Sequence, residues 1–252
     1  NTYFCKKIKY SKYKNFKSKS NQDHYEYLFF IEKKNINDVL YESPLNYIGS
    51  KSRIIPEIKK NLPKKINSFI DIFGGGLNVG LNIPSKELVY NDINHLVKDL
   101  IVSLKNIDTY KYILQIKRII KRFNLRPSSA KSYKKLRTNY NSTKIDKRNP
   151  VLLMAMIFYG YNQKIKINSN LNFNNPVGMR WFNEKVLEKL ISFSRYLKNR
   201  EINFISKDYL KLNGEIKKDS FIYMDPPYLL TTGAYNDGKR GFKGWNKKTE
   251  IE

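Results

Sequence analysis

The sequence predicts an α/β chain whose parallel sheet is interrupted by a mostly helical segment and then resumed. Three observations predict it. Short apolar runs at residues 68–73, 87–92, 202–205 and 220–224 have the length of strands. The first two are separated by a glycine turn and a helix-length interval, the order strand, turn, helix, strand of a parallel unit. Between the second and third, apolar residues recur at helical spacing and cations crowd together.

Taken in order, residues 1–43 form an N-terminal basic arm rich in Lys, Tyr and Asn, with an apolar patch at Tyr27-Leu28-Phe29-Phe30-Ile31. No chemistry attaches to it. The run Ser68–Phe73 is a strand that ends at Gly74, Gly75 and Gly76, and Glu87–Asp92 is the next strand. Tyr110, Ile113, Leu114, Ile116, Ile119, Ile120 and Phe123 mark one helix, and Val186, Leu187, Leu190, Ile191 and Leu197 mark another. Val151–Tyr159 is too uniformly apolar for a surface helix and is expected to be buried. A polar, Asn-rich loop, Asn162–Asn175, lies between these last two. Strands return at Ile202–Ile205 and at Ser220–Met224, which runs directly into Asp225. The expected domains are therefore the arm (1–43), a sheet domain in two pieces (44–104 and 201–252) and a helical insertion (105–200).

Composition narrows the function. A chain of 252 residues with 40% hydrophobic and 14% aromatic side chains can bury a core and is not largely disordered. The longest apolar run, Val151–Tyr159, is far short of the roughly 20 residues a membrane helix needs. No secretory signal pattern opens the sequence, so the cytoplasm is the expected compartment, with no membrane partner. Cys5 is the single cysteine, which excludes an internal disulfide and a thiolate metal cluster. His24 and His95 are the only imidazoles, too few to favour a metal site or a histidine-based triad. No metal is expected.

The net charge is +26, which suits a polyanionic partner. Its placement is informative. Residues 105–200 hold 22 Lys and Arg against 4 Asp and Glu, a net +18, while the remainder carries only +8. Lysine-rich composition alone would not concentrate charge in one segment. Nucleic acid is the expected partner, and Lys131, Lys134, Lys135, Arg137 and Arg180 are candidates to touch it. Lysines mostly make phosphate contacts that carry no sequence information.

Two constellations carry chemistry. A strand ending in Asp71-x-Phe73-Gly74-Gly75-Gly76 and opening a helix lets a ligand approach the backbone, because glycine has no Cβ. Asp92, 21 residues after Asp71 at the tip of the next strand, is placed to accept hydrogen bonds from ribose hydroxyls. On these residues alone a dinucleotide site, or simply a tight turn, fits as well. Asp225-Pro226-Pro227-Tyr228 is sharper. An aromatic amino group is a poor nucleophile because its lone pair is delocalised. A carboxylate and a backbone carbonyl accepting from it favour a tetrahedral nitrogen whose lone pair is free to attack. Two prolines fix φ and lack N–H groups, which holds the Pro226 carbonyl toward a substrate. Tyr228 offers a face on which a base taken out of the duplex can stack. The structural alternative is a strand followed by a Pro-Pro turn.

Together these motifs resemble the Dam-like, α-group N6-adenine DNA methyltransferases, including those of restriction–modification systems. The resemblance covers roughly residues 44–245. Its motifs run in the group's order: Pro44-Leu-Asn-Tyr47-Ile-Gly49-Ser-Lys51, then Asp71 to Gly76, then Asn91-Asp92-Ile93-Asn94. There follow Phe173-Asn174-Asn175-Pro176-Val177-Gly178 within the insertion, Lys207-Asp208-Tyr209, and Asp225 to Tyr228. The resemblance implies a Rossmann-like S-adenosylmethionine-dependent methyltransferase sheet, with residues 105–200 as a helical target-recognition domain. Tyr47, Lys51, Asp71, Phe73, Gly74, Gly75, Gly76, Asp92 and Asp208 would then surround S-adenosylmethionine. Asp92 would take the ribose hydroxyls and Asp208 the adenine amino group. Asn174 joins the DNA-contact candidates, although a loop that supports the pocket fits Phe173–Gly178 equally. The implied activity is methyl transfer to N6 of an adenine flipped out of duplex DNA, with no covalent enzyme intermediate. A cognate restriction endonuclease would be a functional partner.

Alternatives remain at this level. N4-cytosine relatives usually carry Ser at the position of Asp225, and RNA or protein-glutamine relatives more often Asn. A truncated or inactive methyltransferase that only binds DNA is the competing class. Leu77 stands where many relatives have another glycine, so a tighter turn or an earlier helix start is expected. Relatives also continue well past the point equivalent to residue 252, so the catalytic domain is expected to be C-terminally incomplete.

Overall fold

Parallel strands cannot be joined by a two-residue turn, so each pair demands a crossover, and helices supply it here. A computed structural model of the chain describes residues 2–14, 23–34, 39–47 and 49–227. They fall into two compact units, residues 1–40 and 41–252. In the first, β1 (Thr2–Lys14) and β2 (Asp23–Lys34) pair antiparallel from Thr2↔Lys34 to Lys14↔Asp23, with a register shift between Lys9 and Ser11. The arm, to which no element was assigned from sequence, thus contains two antiparallel strands, and its apolar patch lies on β2.

The second unit contains a four-stranded parallel sheet in the order β5-β4-β3-β6. Its strands are β3 (Ser68–Asp71), β4 (Glu87–Asn91), β5 (Ile202–Ile205) and β6 (Ser220–Tyr223). Every residue of the central β3 is buried, as a strand covered on both faces requires. The four predicted strands are all present. β3 stops two residues early: the Ile72 N–H still donates to the Tyr223 carbonyl of β6, but the Ile72 carbonyl leaves the ladder and accepts from the Asn91 side chain. β3 pairs in register with β6, Ser68 opposite Ser220, although 152 residues separate them in sequence. That pairing closes the interruption. On the N-terminal side lie the short helices α1 (Ile55–Lys60) and α2 (Asn78–Asn82).

Five helices follow β4: α3 (His95–Asn106), α4 (Thr109–Phe123), α5 (Ala130–Ser142), α6 (Pro150–Tyr159) and α7 (Glu184–Lys198). Four of them start on a side chain that caps the first turn. Asn94, Asp108, Asn149 and Asn183 accept from the backbone N–H of Val97, Lys111, Val151 and Val186. α6 is buried along nearly its whole length and packs against α3, α4 and α5, which explains why its sequence shows no polar face. α3 and α5 were not resolved as separate elements in the sequence. Among the described residues no helix is long and apolar enough to cross a membrane.

Several cations of the basic segment serve this packing. Lys198 at the end of α7 donates to the carbonyls of Leu104, Lys105 and Ile107, where α3 ends. Lys105 returns the arrangement by donating to the carbonyls of Leu197 and Arg200. Each lysine thus satisfies the free carbonyls at the other helix's C-terminus. Arg200 continues the join, donating to the Ile83 carbonyl and the Ser85 hydroxyl behind the sheet. Replacing Lys198 by Met keeps the length of the side chain but removes the Lys198 donor from the Lys105 and Ile107 carbonyls, while the Leu104 carbonyl keeps the Ser194 hydroxyl. The expected cost is about 1–3 kcal/mol of unfolding free energy, measured by urea denaturation.

Candidate active site

The site is built where β3, β4 and β6 end, the edge at which open parallel sheets bind ligands. After β3 the chain turns tightly. The Gly74 N–H donates to the Asn91 carbonyl at 2.7 Å, and the Leu77 N–H to the Gly74 carbonyl at 2.7 Å. Gly75 has φ +47, and a Cβ there would lie 2.8 Å from the ring of Tyr47. Tyr90 is fully buried, and its hydroxyl donates to the Gly75 carbonyl. Burial pushes that hydroxyl's pKa well up, with the Asp92 charge adding to it. The backbone here is held between two tyrosines, which is why no side chain fits.

Where a change in the turn was expected, Leu77 adopts the left-handed conformation itself, φ 59 and ψ 32, and α2 begins directly after it at Asn78. A left-handed non-glycine residue costs about 1–2 kcal/mol, which the complete burial of the leucine side chain offsets.

The acidic residues have distinct surroundings. Asp71 is buried, and its carboxylate accepts from the Gly80 N–H at 3.0 Å, beneath α2. Burial pushes its pKa up to about 7; Asp92 and Asp225 add to the rise, while the Gly80 N–H opposes it. Asp92 is buried as well and accepts from the N–H groups of Gly75 and Asn94, at 2.9 and 2.8 Å. Each oxygen carries a second lone pair. Asp208 accepts from the Leu210 N–H and so starts the short turn Tyr209–Lys211. Phe73 packs against Tyr209, ring centroids 5.6 Å apart.

Asp225 stands two residues past β6, half-buried, with Pro226 and Pro227 after it. Its carboxylate pairs with the Lys51 ammonium at 2.6 Å. Lys51 also donates to the Gly49 carbonyl. Lys51, expected among the cofactor-binding residues, is thereby also joined to the Asp-Pro-Pro motif. Tyr228 lies outside the described residues.

Sequence reasoning placed Asn91 in a motif but gave it no role of its own. Its buried amide donates to the carbonyls of Ile72 and Lys207 and accepts from the Lys207 N–H, tying together the ends of β3, β4 and β5. A lone amide at the tip of an apolar strand was the available signal.

In the insertion, Phe173 is buried. Both its backbone groups pair with the Asn141 side chain, its N–H donating and its carbonyl accepting. Arg148 holds the same loop through the carbonyls of Asn141 and Leu171 and the side chain of Asn172. Arg137 donates to the Asn175 carbonyl, so this DNA-contact candidate is engaged in supporting the loop. Asn174 is half-buried, with its backbone N–H on the Lys166 carbonyl. Arg180 is exposed, flanked by exposed Met179 and Trp181. Lys131, Lys134 and Lys135 are exposed on α5.

The buried carboxylate sets a pH dependence. Between about pH 4 and 7, folded Asp71 keeps a proton that the unfolded chain has released, so stability falls as pH rises through that window. Asp71→Asn can still accept from Gly80 and never ionises. In urea denaturation it is expected to gain on the order of 3 kcal/mol over the parent at pH 8 and little at pH 4.5. An equal effect at both pH values would mean that the Asp71 pKa is not raised in the folded chain.

Comparison with known proteins agrees with this geometry. Residues 47–251 match the family described as D12 class N6 adenine-specific DNA methyltransferase. The chain is 33% identical to the Type II methyltransferase M.FokI of Planomicrobium okeanokoites, over all of this chain and 41% of that protein. It is 33% identical to the modification methylase StsI of Streptococcus sanguinis, over 98% of this chain and 40% of that protein. A DNA adenine methylase of Haemophilus influenzae is 29% identical over 73% of this chain and 63% of its own length. The chain therefore spans about two fifths of the length of the first two relatives. With glycine turn, acidic strand tips and Asp-Pro-Pro motif gathered at one sheet edge, the chain belongs to the D12 class of N6 adenine-specific DNA methyltransferases.

Proposed function

We propose that this chain transfers a methyl group from S-adenosylmethionine to N6 of an adenine flipped out of duplex DNA. The observation that carries the reading is the meeting of the glycine turn after β3 with Asp225 after β6, on adjacent parallel strands, with Lys51 anchored on Asp225. The cofactor's sulfonium supplies an already activated methyl group, so the chain has to bind, orient and polarise.

The residues present fit that cofactor. Gly74–Gly76 allow close approach to the backbone, and the Asp92 carboxylate at the tip of β4 is of the type that accepts from ribose hydroxyls. Asp71, Asp92 and Asp225 stand close enough for the last two to raise the pKa of the first, an arrangement that a cationic ligand relieves. Tyr47, Phe73 and Asp208 are assigned to the cofactor's surroundings, Asp208 to its adenine amino group. In the reaction, Asp225 and the Pro226 carbonyl accept from the adenine amino group and localise its lone pair. The Lys51 ammonium orients the Asp225 carboxylate for that contact. Tyr228 is assigned the stacking role. Residues 105–200 act as the target-recognition domain, with Asn174 and Arg180 toward DNA. An Asp at position 225 favours adenine over N4-cytosine as the target. The cytoplasm is the expected site of action, alongside a cognate restriction endonuclease whose cleavage the modification would block.

The test is transfer of labelled methyl to unmethylated duplex DNA, followed by digestion to nucleosides. N6-methyladenine is expected; another methylated nucleoside would overturn the assignment of Asp225 to adenine. Asp225→Ala should lower the rate by about two to three orders of magnitude while duplex affinity stays within a few fold. Lys51→Gln should lower kcat by about ten- to a hundredfold with little change in cofactor affinity. A pure rise in the cofactor's KM would instead return Lys51 to the cofactor site.

A further inference from the structure

The exposed cations of the helical segment are not spread evenly. α4 and α5 bound a half-open cleft of about 650 Å³ that is walled by Arg122, Lys131, Lys134 and Lys135. Its floor is the edge of Phe123, over whose ring the Arg122 guanidinium sits at 5.4 Å. Thr138, farther along α5, adds a hydroxyl. Among the described residues no carboxylate lines the cleft, and none of its four cations takes part in a salt bridge.

The placement follows from helical geometry. Positions 131, 134, 135 and 138 fall on one stripe of α5, while Tyr133, Leu136 and Tyr140 bury the other face. The contrast with the neighbouring cations is chemical. Lys105, Arg137, Arg148, Lys198 and Arg200 all donate to backbone carbonyls and are taken up by the fold. The four of the cleft keep their donors for something outside it. Like charges around one concavity repel, and an anion in the cleft removes that repulsion.

We infer that the α4–α5 cleft binds successive phosphates of the DNA backbone, as a sequence-independent anchor. The inference rests on the DNA-acting reading above and assigns Arg122, which sequence reasoning did not single out, to the same surface. Lysine presents a point charge with rotatable donors, suited to phosphate oxygens and poorly suited to fixed base edges. Three lysines and one arginine on a single wall therefore favour the backbone over the bases. The contacts would neutralise phosphates and release condensed counterions, so the cleft's signature is in the salt dependence of binding.

The test uses the full chain and two duplexes of unrelated sequence, with affinity followed by fluorescence anisotropy across a range of salt concentrations. The variant carries Lys131→Gln, Lys134→Gln and Lys135→Gln. A control carries Lys64→Gln, Lys65→Gln and Lys218→Gln, which removes the same charge from exposed positions ahead of β3 and β6. The cleft variant is expected to lose roughly 2 to 3 from the slope of log affinity against log salt, equally on both duplexes, while the control changes it by less than about 1. An unchanged slope, a loss matched by the control, or a loss confined to one duplex would each overturn the proposal. Absence of duplex binding by the parent chain would overturn it too. Failure of methyl transfer by a chain that binds with the expected slopes would leave the cleft standing and remove only the catalytic reading. All three lysines are exposed, and thermal denaturation confirms that the variant is folded.

Discussion

The side chain of Asn91 is the connection on which the candidate site depends. A parallel sheet aligns its strands through backbone bonds but leaves the loops beyond their carboxyl ends to find partners of their own. Asn91 supplies three at once, bonding to Ile72 beyond β3 and to both backbone groups of Lys207 beyond β5. Its own carbonyl receives the Gly74 N–H, and Ser206 donates to the carbonyl of the adjacent Asp92. Through these bonds the glycine turn, the acidic tip of β4 and the loop that carries Asp208 hold fixed positions relative to one another. Because the amide is buried and its partners are backbone groups, losing it would leave several polar atoms without partners rather than one.

The glycine turn shows the same economy on a smaller scale. Tyr90 lies beneath it and bonds the Gly75 carbonyl, while Tyr47 lies against Gly75 from the other side. Where relatives relax the next position with glycine, Leu77 takes the left-handed conformation and balances it by complete burial. Packing, not local preference, decides the conformation at this point.

Much of this was legible in the sequence. The strand positions, the buried α6 and the helices α4 and α7 follow from periodicity, because each element covers or is covered by a definite apolar face. The clustering of Asp71, Gly74–Gly76, Asp92 and Asp225 at one sheet edge was also legible, since strand ends followed by these residue types have few other arrangements. Long-range partners were not. No local pattern reveals that Lys51 meets Asp225, 174 positions away, that Lys105 and Lys198 cap each other's helices, or that Asn141 pairs with Phe173. Charge was legible only as a sum. Counting the basic segment could not separate Arg137, Arg148 and Arg200, which bond carbonyls, from Lys131, Lys134 and Lys135, which line a cleft.

That separation resolves a conflict built into the proposed reaction. One ligand is a compact cation and the other a polyanion, and a chain of net charge +26 attracts only the second over long range. Carboxylates gathered at the strand ends answer the first requirement locally: Asp71, Asp92 and Asp225 are near enough to interact, and the fold tolerates them by lending backbone N–H groups to two of them and Lys51 to the third. Charges separated by more than a Debye length, about 8–10 Å at ordinary salt, act almost independently, so an acidic pocket can exist on a strongly basic chain. The cations nearest to helix ends are meanwhile turned onto backbone carbonyls, which leaves the exposed ones for direct contact with DNA. Opposite electrostatic demands are thus met by assigning each sign of charge to a different part of the fold: carboxylates to the sheet's carboxyl edge, unsatisfied cations to the outer faces of α4 and α5.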